Sequence, residues 1–549
     1  MAERFEHHAR LMTVLTLVSR VTGLARDAAL ARVFGIGPFM DAFNFAFLIP
    51  NLFRRLFGEG AISAAFLPRY AELDRDDPAA ARRYSGLLFA LLAAGLWAIV
   101  LVGEAFLLGR WLASPALEVA AHAPIRVAGV PVDFLSVRHV RLGYELAALM
   151  LPYMPLVCLT AVGGSALQVH GRFGPTAASP IILNLAMIAA TLGALPLVHA
   201  GDLSPTMHLR LVAAGVLLAG VVQLVWTWRV LQRVRPVFAP RDPAAWVSVR
   251  ATLAQTLPMM LGLGVLQVNT AIDGLIASWP TLVGPTIMGV AYPLASGAMS
   301  AMANAQRLYE FPLGVFGISI ATAIFPLLSR QNNDPAAFAA TVRRALRLTV
   351  FVGLPASAGL VLLANDAAGA FFRGGAFGED DVRRVGFIVI GFAPAIWSYQ
   401  MNHVFTRAFY ALKEPMVPVK VSVAMVVLNL ALNFTLIFTP LREAGLAWST
   451  AICSVLQVVI LGRLLSRRTP GILDVEVIRS WRHSMVATLV MAVAVFAAMR
   501  MLPDEDRWSI YTLRLAVGVC AGAAVYFAVA ALVGMQELRD VLRRAPRAG

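Results

Sequence analysis

The sequence predicts an all-α polytopic membrane protein of about fourteen transmembrane helices, arranged as two six-helix lobes plus two C-terminal helices. Three observations predict it. The 549 residues are 59% hydrophobic and 14% charged, whereas soluble chains run near roughly half apolar and about a quarter charged. Fourteen apolar stretches match the ~20 residues that a spanning helix needs. Basic residues collect in alternate loops, as the positive-inside rule requires. This composition excludes a cytosolic enzyme, a disulfide scaffold and a disordered chain. Backbone groups in hydrocarbon must pair within the segment, so the stretches are helices or a closed barrel. They show no two-residue alternation, which leaves helices.

The first stretch, 11–33, carries Ser19, Arg20, Gly23, Arg26 and Asp27 inside its apolar run. Those charges, and the lack of a small-residue cleavage site, argue against a cleaved signal peptide. The second, 41–68, holds Asp41, Asn44, Asn51, Arg54, Arg55 and Glu59, and Pro50 is expected to kink it. Arg69, Arg75, Arg82 and Arg83 follow it. The third stretch is 85–109. The long segment after it, 111–142, breaks the charge rule with Arg126, Arg138 and Arg141, and Arg110 stands just before it; long loops obey the rule poorly. Stretches 144–168, 178–199 and 209–231 complete the first lobe, and Arg229, Arg233, Arg235 and Arg241 mark its end.

The seventh stretch is 252–278, followed by the uncharged segment 279–295, expected outside as a re-entrant piece or an apolar loop. The eighth, 296–328, carries Asn304, Arg307 and Glu310, with Pro312 as a break. Stretches 346–371, 385–409, 417–438 and 444–465 complete the second lobe, and 484–502 and 511–533 are the extra pair. The lobes are expected at 1–235 and 236–470, with 471–549 holding the last two helices and a cytoplasmic tail. Arg-Leu-Phe at 55–57 and Arg-Leu-Tyr at 307–309, each followed by a small-residue run ending in Pro68 or Pro326, suggest a parallel repeat. Such repeats build transporters with the site between the halves. An even number of spans puts both termini in the cytoplasm.

The net charge of +15 does not indicate nucleic acid, because the 46 basic residues, all Arg except Lys413 and Lys420, are spread along the chain. The three cysteines, Cys158, Cys453 and Cys520, lie within predicted spans without paired-ligand spacing, so neither a disulfide nor a zinc site is expected. No phosphate-binding loop or nucleophile elbow is present, and the chain is expected not to be an enzyme. The informative residues are the charges inside spans. A charge at the bilayer centre costs ~2.5–3.5 kcal/mol on insertion scales, so each must meet a partner or a wet cavity. Any one of them could be a snorkelling side chain or a structural pair. Three spans with interior Arg point instead to an anionic, phosphorylated cargo, because a guanidinium grips phosphate through two hydrogen bonds. Arg20 and Asp27, two turns apart, are expected on one face.

Ser-Arg-Val-Thr-Gly-Leu-Ala-Arg-Asp-Ala-Ala-Leu-Ala-Arg-Val-Phe-Gly (19–35) resembles the opening signature of the MurJ (MviN) lipid II flippases. The 41–66 block, Gln-Arg-Leu-Tyr-Glu-Phe-Pro-Leu-Gly-Val (306–315), Arg-Ala-Phe-Tyr-Ala-Leu (407–412) and Pro-Val-Lys (418–420) resemble it as well. The resemblance implies the MOP-superfamily fold, with a central cationic cavity and a bacterial inner-membrane location. It implies lipid II, an undecaprenyl-diphosphate-linked disaccharide-pentapeptide, as cargo, membrane lipid as surroundings and other cell-wall synthesis proteins as partners. The cavity residues it implies are Arg20, Arg26, Asp27, Asp41, Arg54, Glu59, Arg307 and Glu310. Gln306 stands where many relatives have Asp or Asn.

Some family members bind sodium, and the resemblance maps such a site onto Asp273, Asn429, Asn433 and Thr450. Asn433 replaces a carboxylate there, and interhelical hydrogen bonding is the competing reading. The rival functions are an oligosaccharide-lipid flippase, a drug/ion antiporter of the same superfamily, and a membrane enzyme acting on polyprenyl phosphates. The antiporter wants acidic walls and the enzyme needs a catalytic cluster that is not seen.

Overall fold

Helix occupies each of the fourteen stretches in the computed structural model of the chain. The structure describes all residues except 1, 59–60, 121–125, 128–129, 132–136, 235–242, 284–285, 288–289, 315–317, 332 and 543–549. In order the elements are α1 (Ala2–Phe34), α2 (Pro38–Phe53), a π-helical turn (Arg54–Gly58), α3 (Ala61–Asp76) and α4 (Pro78–Ala120). A two-residue hairpin, β1 (Arg126–Val127) with β2 (Val130–Pro131), precedes α5 (Val137–Met150) and α6 (Tyr153–Val169). Then come α7 (Gly174–Gly193), α8 (Leu195–His199), α9 (Pro205–Val234) and α10 (Pro243–Leu282). A second hairpin pairs β3 (Thr286–Ile287) with β4 (Val290–Ala291). The rest is helical: α11 (Ala298–Pro312), α12 (Ile318–Arg330), α13 (Pro335–Leu362), α14 (Ala364–Phe372), α15 (Glu379–Phe392), α16 (Ile396–Ala411), α17 (Met416–Leu436), α18 (Ala444–Arg468), α19 (Val475–Arg500), α20 (Trp508–Leu532) and α21 (Gln536–Leu542).

Over the described residues, nine helical segments are long and apolar enough to cross a membrane. The stretches outside that set include the first, with its charges, and the second, eighth and tenth, each broken into two helices. The breaks follow chemistry. Pro50 and Pro312 lie inside α2 and α11, where each removes a backbone donor. Helix starts are equally local. Asp334 accepts from the amides of Ala336 and Ala337 and precedes Pro335, and Asp77 does the same ahead of Pro78 for Ala79 and Ala80. An Asp cap with Pro at the first helical position satisfies orphan amides at no conformational cost. The apolar faces are turned outward: in α17 only 11% of the most hydropathic window is buried. In water such a surface would aggregate, whereas in lipid it is solvated.

Contacts group the chain into two units, Met1–Ser300 and Ala301–Gly549. In the first, α1 packs along α7, α7 on α9, α9 on α6, α2 on α5, and α10 on α2 and α3. Its cores join Phe43, Met150, Tyr153 and Val212 in one cluster and Phe66, Tyr70 and Tyr84 in another. In the second, α13 packs on α16 and α19, α16 and α17 on α18, and α14 on α15 and α20. Within the first unit, α10 is held by its contacts with α2 and α3. The segment 279–295 is a folded hairpin rather than a bare loop. Trp279 stacks on Tyr292 with centroids 5.8 Å apart, Trp279 Nε1 donates to the Thr286 carbonyl, and Tyr292 donates to the Ile276 carbonyl.

Candidate functional site

The first unit assembles a polar centre from α1 and α7. Arg26 is 7% exposed. Its Nε and Nη2 donate to Oδ1 of Asp27 at 2.8 and 2.6 Å, and its Nη1 donates to Oδ1 of Asn184 at 3.0 Å. Asn184, buried on α7, returns its Nδ2 to the Ser19 carbonyl and the Thr22 hydroxyl, both at 3.2 Å. A guanidinium inside a span is thus held from two helices, as the high desolvation penalty demands. Asn184 was not singled out in the sequence, although an Asn midway along the apolar 178–199 stretch is a usable signal. Arg20 and Asp27 do not pair: Asp27 is taken by its neighbour Arg26. Arg20 is half-buried and has no hydrogen bond or ion pair with any described residue.

The broken second span presents the next cations. Arg54 opens the π-helical turn, and its backbone amide bonds the carbonyls of Pro50 and Asn51. A π turn inserts residues into the helical ladder and re-aims side chains, which is why such turns recur at functional sites. Arg54 donates through Nε and Nη2 to Oδ1 of Asn51 at 3.1 and 2.9 Å. Arg55 donates to Oε1 of Gln267 on α10 at 3.2 Å. Glu59 lies outside the described residues.

Asp41 is fully buried. Its Oδ2 accepts from the Gly297 amide at 2.6 Å and the Thr281 hydroxyl at 3.2 Å, and Oδ1 accepts from the Ser300 amide at 2.8 Å. It fastens α2 to the end of α10 and caps the first turn of α11, where a carboxylate complements the helix dipole. In the second unit, Arg307 Nη1 meets Oε2 of Glu310 one turn on at 3.3 Å, with both side chains about two-fifths exposed (39% and 40%). That accessible pair contributes little to stability. Between them in sequence, Tyr309 packs inward on Phe392 and Tyr399.

The sodium expectation meets a closed amide network. Asn433 Nδ2 donates to Oδ1 of Asn429, Asn429 Nδ2 reaches Ser449 and Thr450, and Ser449 donates to Oδ1 of Asn433. These groups join α17 to α18 and satisfy one another, as polar glue within a membrane does. They are neutral, so they lack the charge a cation site wants. Asp273, on α10 of the first unit, accepts from Asn269 at 3.4 Å. The arrangement does not favour a resident cation. Among the described residues no cluster of three His, Cys, Asp or Glu side chains could hold a metal.

Comparison with known proteins follows the same lines. A family model described as lipid II flippase MurJ matches residues 30–517. A probable lipid II flippase MurJ of Vibrio cholerae is 30% identical, covering 97% of this chain and 96% of its own. A protein of the same description from Rhizobium tropici is 32% identical over 97% of this chain and 95% of its own. Among solved structures, a lipid II flippase MurJ in an inward closed conformation superposes with a TM-score of 0.72 at 21% identity, covering 97% of this chain and all of the other. An inward-facing multidrug resistance MATE family transporter of the MOP superfamily superposes with a TM-score of 0.56 at 13% identity, covering 84% and 98%.

Proposed function

The chain belongs to the lipid II flippase MurJ family, and from that premise we propose that it carries lipid II across the membrane by alternating access. It is a multi-pass membrane protein of a bacterial transporter family. The observation that carries the reading is the Arg26 guanidinium, buried inside a span and held by Asn184 rather than turned to a membrane face. The barrier to flipping is the desolvation of a multiply charged headgroup in hydrocarbon. Arg20, Arg26 and Arg54 of the first unit lower it by offering fork-shaped donors to the diphosphate and sugar, and Arg307 is the corresponding donor of the second unit. Asp27, Glu59 and Glu310 keep those cations from binding so tightly that release becomes slow. Asp41 positions the ends of α10 and α11 instead of touching cargo.

The orientation completes the reading. Both termini lie in the cytoplasm, since Arg229, Arg233, Arg343, Arg344, Arg467 and Arg468 then fall on the inner side. The segment 111–142 and the β3–β4 hairpin then lie outside. The headgroup enters from the inner leaflet of the bacterial inner membrane and leaves to the outer one, while the polyprenyl tail remains in lipid. The candidate drives are the membrane potential, worth ~2.3 kcal/mol per charge per 100 mV, and an ion gradient; no step is routed through sodium. A drug-exporting role is disfavoured, because an Arg-rich interior repels cationic drugs.

The test is depletion in the native host with the lipid-linked precursors quantified by leaflet. Lipid II is expected to accumulate on the inner side. Accumulation of a different oligosaccharide-lipid would overturn the cargo assignment.

A further inference from the structure

The ends of α4, α5 and α9 in the first unit form a second basic cluster, unrelated to the interior cations. Arg141 lies over the ring of Trp111, with Cζ 4.4 Å from the centroid. Arg110 lies 5.8 Å from the ring centroid of Tyr144 and points Nε and Nη2 at its hydroxyl, 3.4 and 3.3 Å away. Glu145 is the acid of the group, and it is already committed: Oε1 accepts from Trp111 Nε1 at 3.1 Å and Oε2 accepts from Arg210. Of the three guanidiniums, Arg210 is the one this carboxylate serves. Among the described residues, Arg110 meets the ring and hydroxyl of Tyr144 and Arg141 the face of Trp111, neither of them an acid, and the buried Nε of Arg141 has no hydrogen-bond partner there.

An aromatic face attracts a guanidinium without cancelling its charge, and it leaves the in-plane N–H groups directed elsewhere. Trp and Tyr at the ends of apolar helices sit at headgroup depth. Two Arg side chains fixed on such rings, at the end of a span, present paired donors at the level of lipid phosphates. The pair supplies two of the four arginines, with Arg126 and Arg138, that depart from the positive-inside pattern there. We propose that Arg110 and Arg141, held by Tyr144 and Trp111, form a binding site for the phosphate of an anionic lipid headgroup. Its placement in the outer leaflet rests on the orientation argued above; the lipid site itself does not.

The full chain in nanodiscs tests it, since both leaflets are then present and orientation drops out. No cell-wall precursor is added, so the outcome is independent of the transport reading. Tryptophan quenching is compared between brominated phosphatidylglycerol and brominated phosphatidylcholine at equal mole fraction, and the Trp111 signal is taken as the difference from Trp111→Phe. The anionic lipid is expected to be enriched beside Trp111 by about five-fold, the size of one Arg's attraction to an anionic leaflet. Arg110→Gln with Arg141→Gln is expected to abolish that preference. Melting in phosphatidylcholine discs checks its folding, and each single variant, expected to lose about half of the preference, replaces it if it fails to fold. Equal quenching by the two lipids in the unaltered protein, or an undiminished preference in the Gln variants, overturns the proposal. Excess inorganic phosphate is expected to leave the preference unchanged; its loss would assign the site to the free ion instead.

Discussion

The interior cations of the first unit and the last hairpin of the second treat arginine in opposite ways. In the first unit, Arg26 grips the neighbouring Asp27 carboxylate and also donates to the amide oxygen of Asn184, while Arg54 and Arg55 donate to the amide oxygens of Asn51 and Gln267. An amide satisfies an N–H and brings no charge of its own. In the second unit, α19 and α20 are fastened at both ends by carboxylates. At one end Arg373 grips Asp506 through two hydrogen bonds and Arg514 meets Asp366. At the other, Arg347 meets Glu537 and Arg344 meets Asp540 of α21. Those charges cancel and hold structure. The difference teaches where the partners come from: amides join the interior arginines of the first unit, whereas carboxylates from other helices or loops tie down those of the last hairpin.

The largest effect that would break the comparison is at Arg26. Arg26→Ala at normal protein level is expected to abolish complementation of a flippase-depleted strain, and full complementation would show that the interior charge is dispensable. Arg307→Lys comes next. Transport is expected to fall by about ten-fold or more, because an ammonium cannot make the forked contact; unimpaired transport in vesicles would show that a point charge suffices. Asn184→Leu should leave the protein folded but mis-aim Arg26. An interhelical hydrogen bond of this kind is worth ~0.6–1.7 kcal/mol, so transport is expected to drop several-fold, with Asn184→Gln recovering part of it. Recovery by Gln distinguishes aiming from packing, since both variants fill the volume.

The smallest effect sharpens the scaffold side. The Arg373 hydrogen bonds, with its charge, hold the Asp506 carboxyl below the usual carboxylate range. The unfolded chain therefore takes up that proton first as pH falls. The bridge contributes its full stability above the ordinary value of ~3.9 and loses it as pH drops through the lower folded value. Melting temperature is expected to fall between pH 5 and pH 3, and to fall less in Arg373→Gln. The pair is about a quarter exposed, so solvent screening keeps the difference small. An equal fall in both proteins would remove Asp506 from the account.

Helix positions were legible because hydropathy and length act locally: a run of apolar residues needs no knowledge of its neighbours to be driven into lipid. The kink at Pro50 was legible for the same reason, and so was the list of interior charges. Partners were not. Spacing put Arg20 and Asp27 on one face, yet Asp27 bonds Arg26, because a long side chain can fold back onto its neighbour. Asn184 is 158 residues from Arg26, and Asp41 on α2 reaches Gly297 and Ser300, 256 and 259 residues further on.

The sequence by itself therefore determined the class of the protein, where its helices run and which charges it carries into the membrane. Only the tertiary structure decided which partners hold those charges, and that Asp41 serves as a helix cap. The physical reason is that the energy of placing a polar group in hydrocarbon depends on the few atoms within hydrogen-bonding distance of it. Those atoms come from helices far apart in the chain.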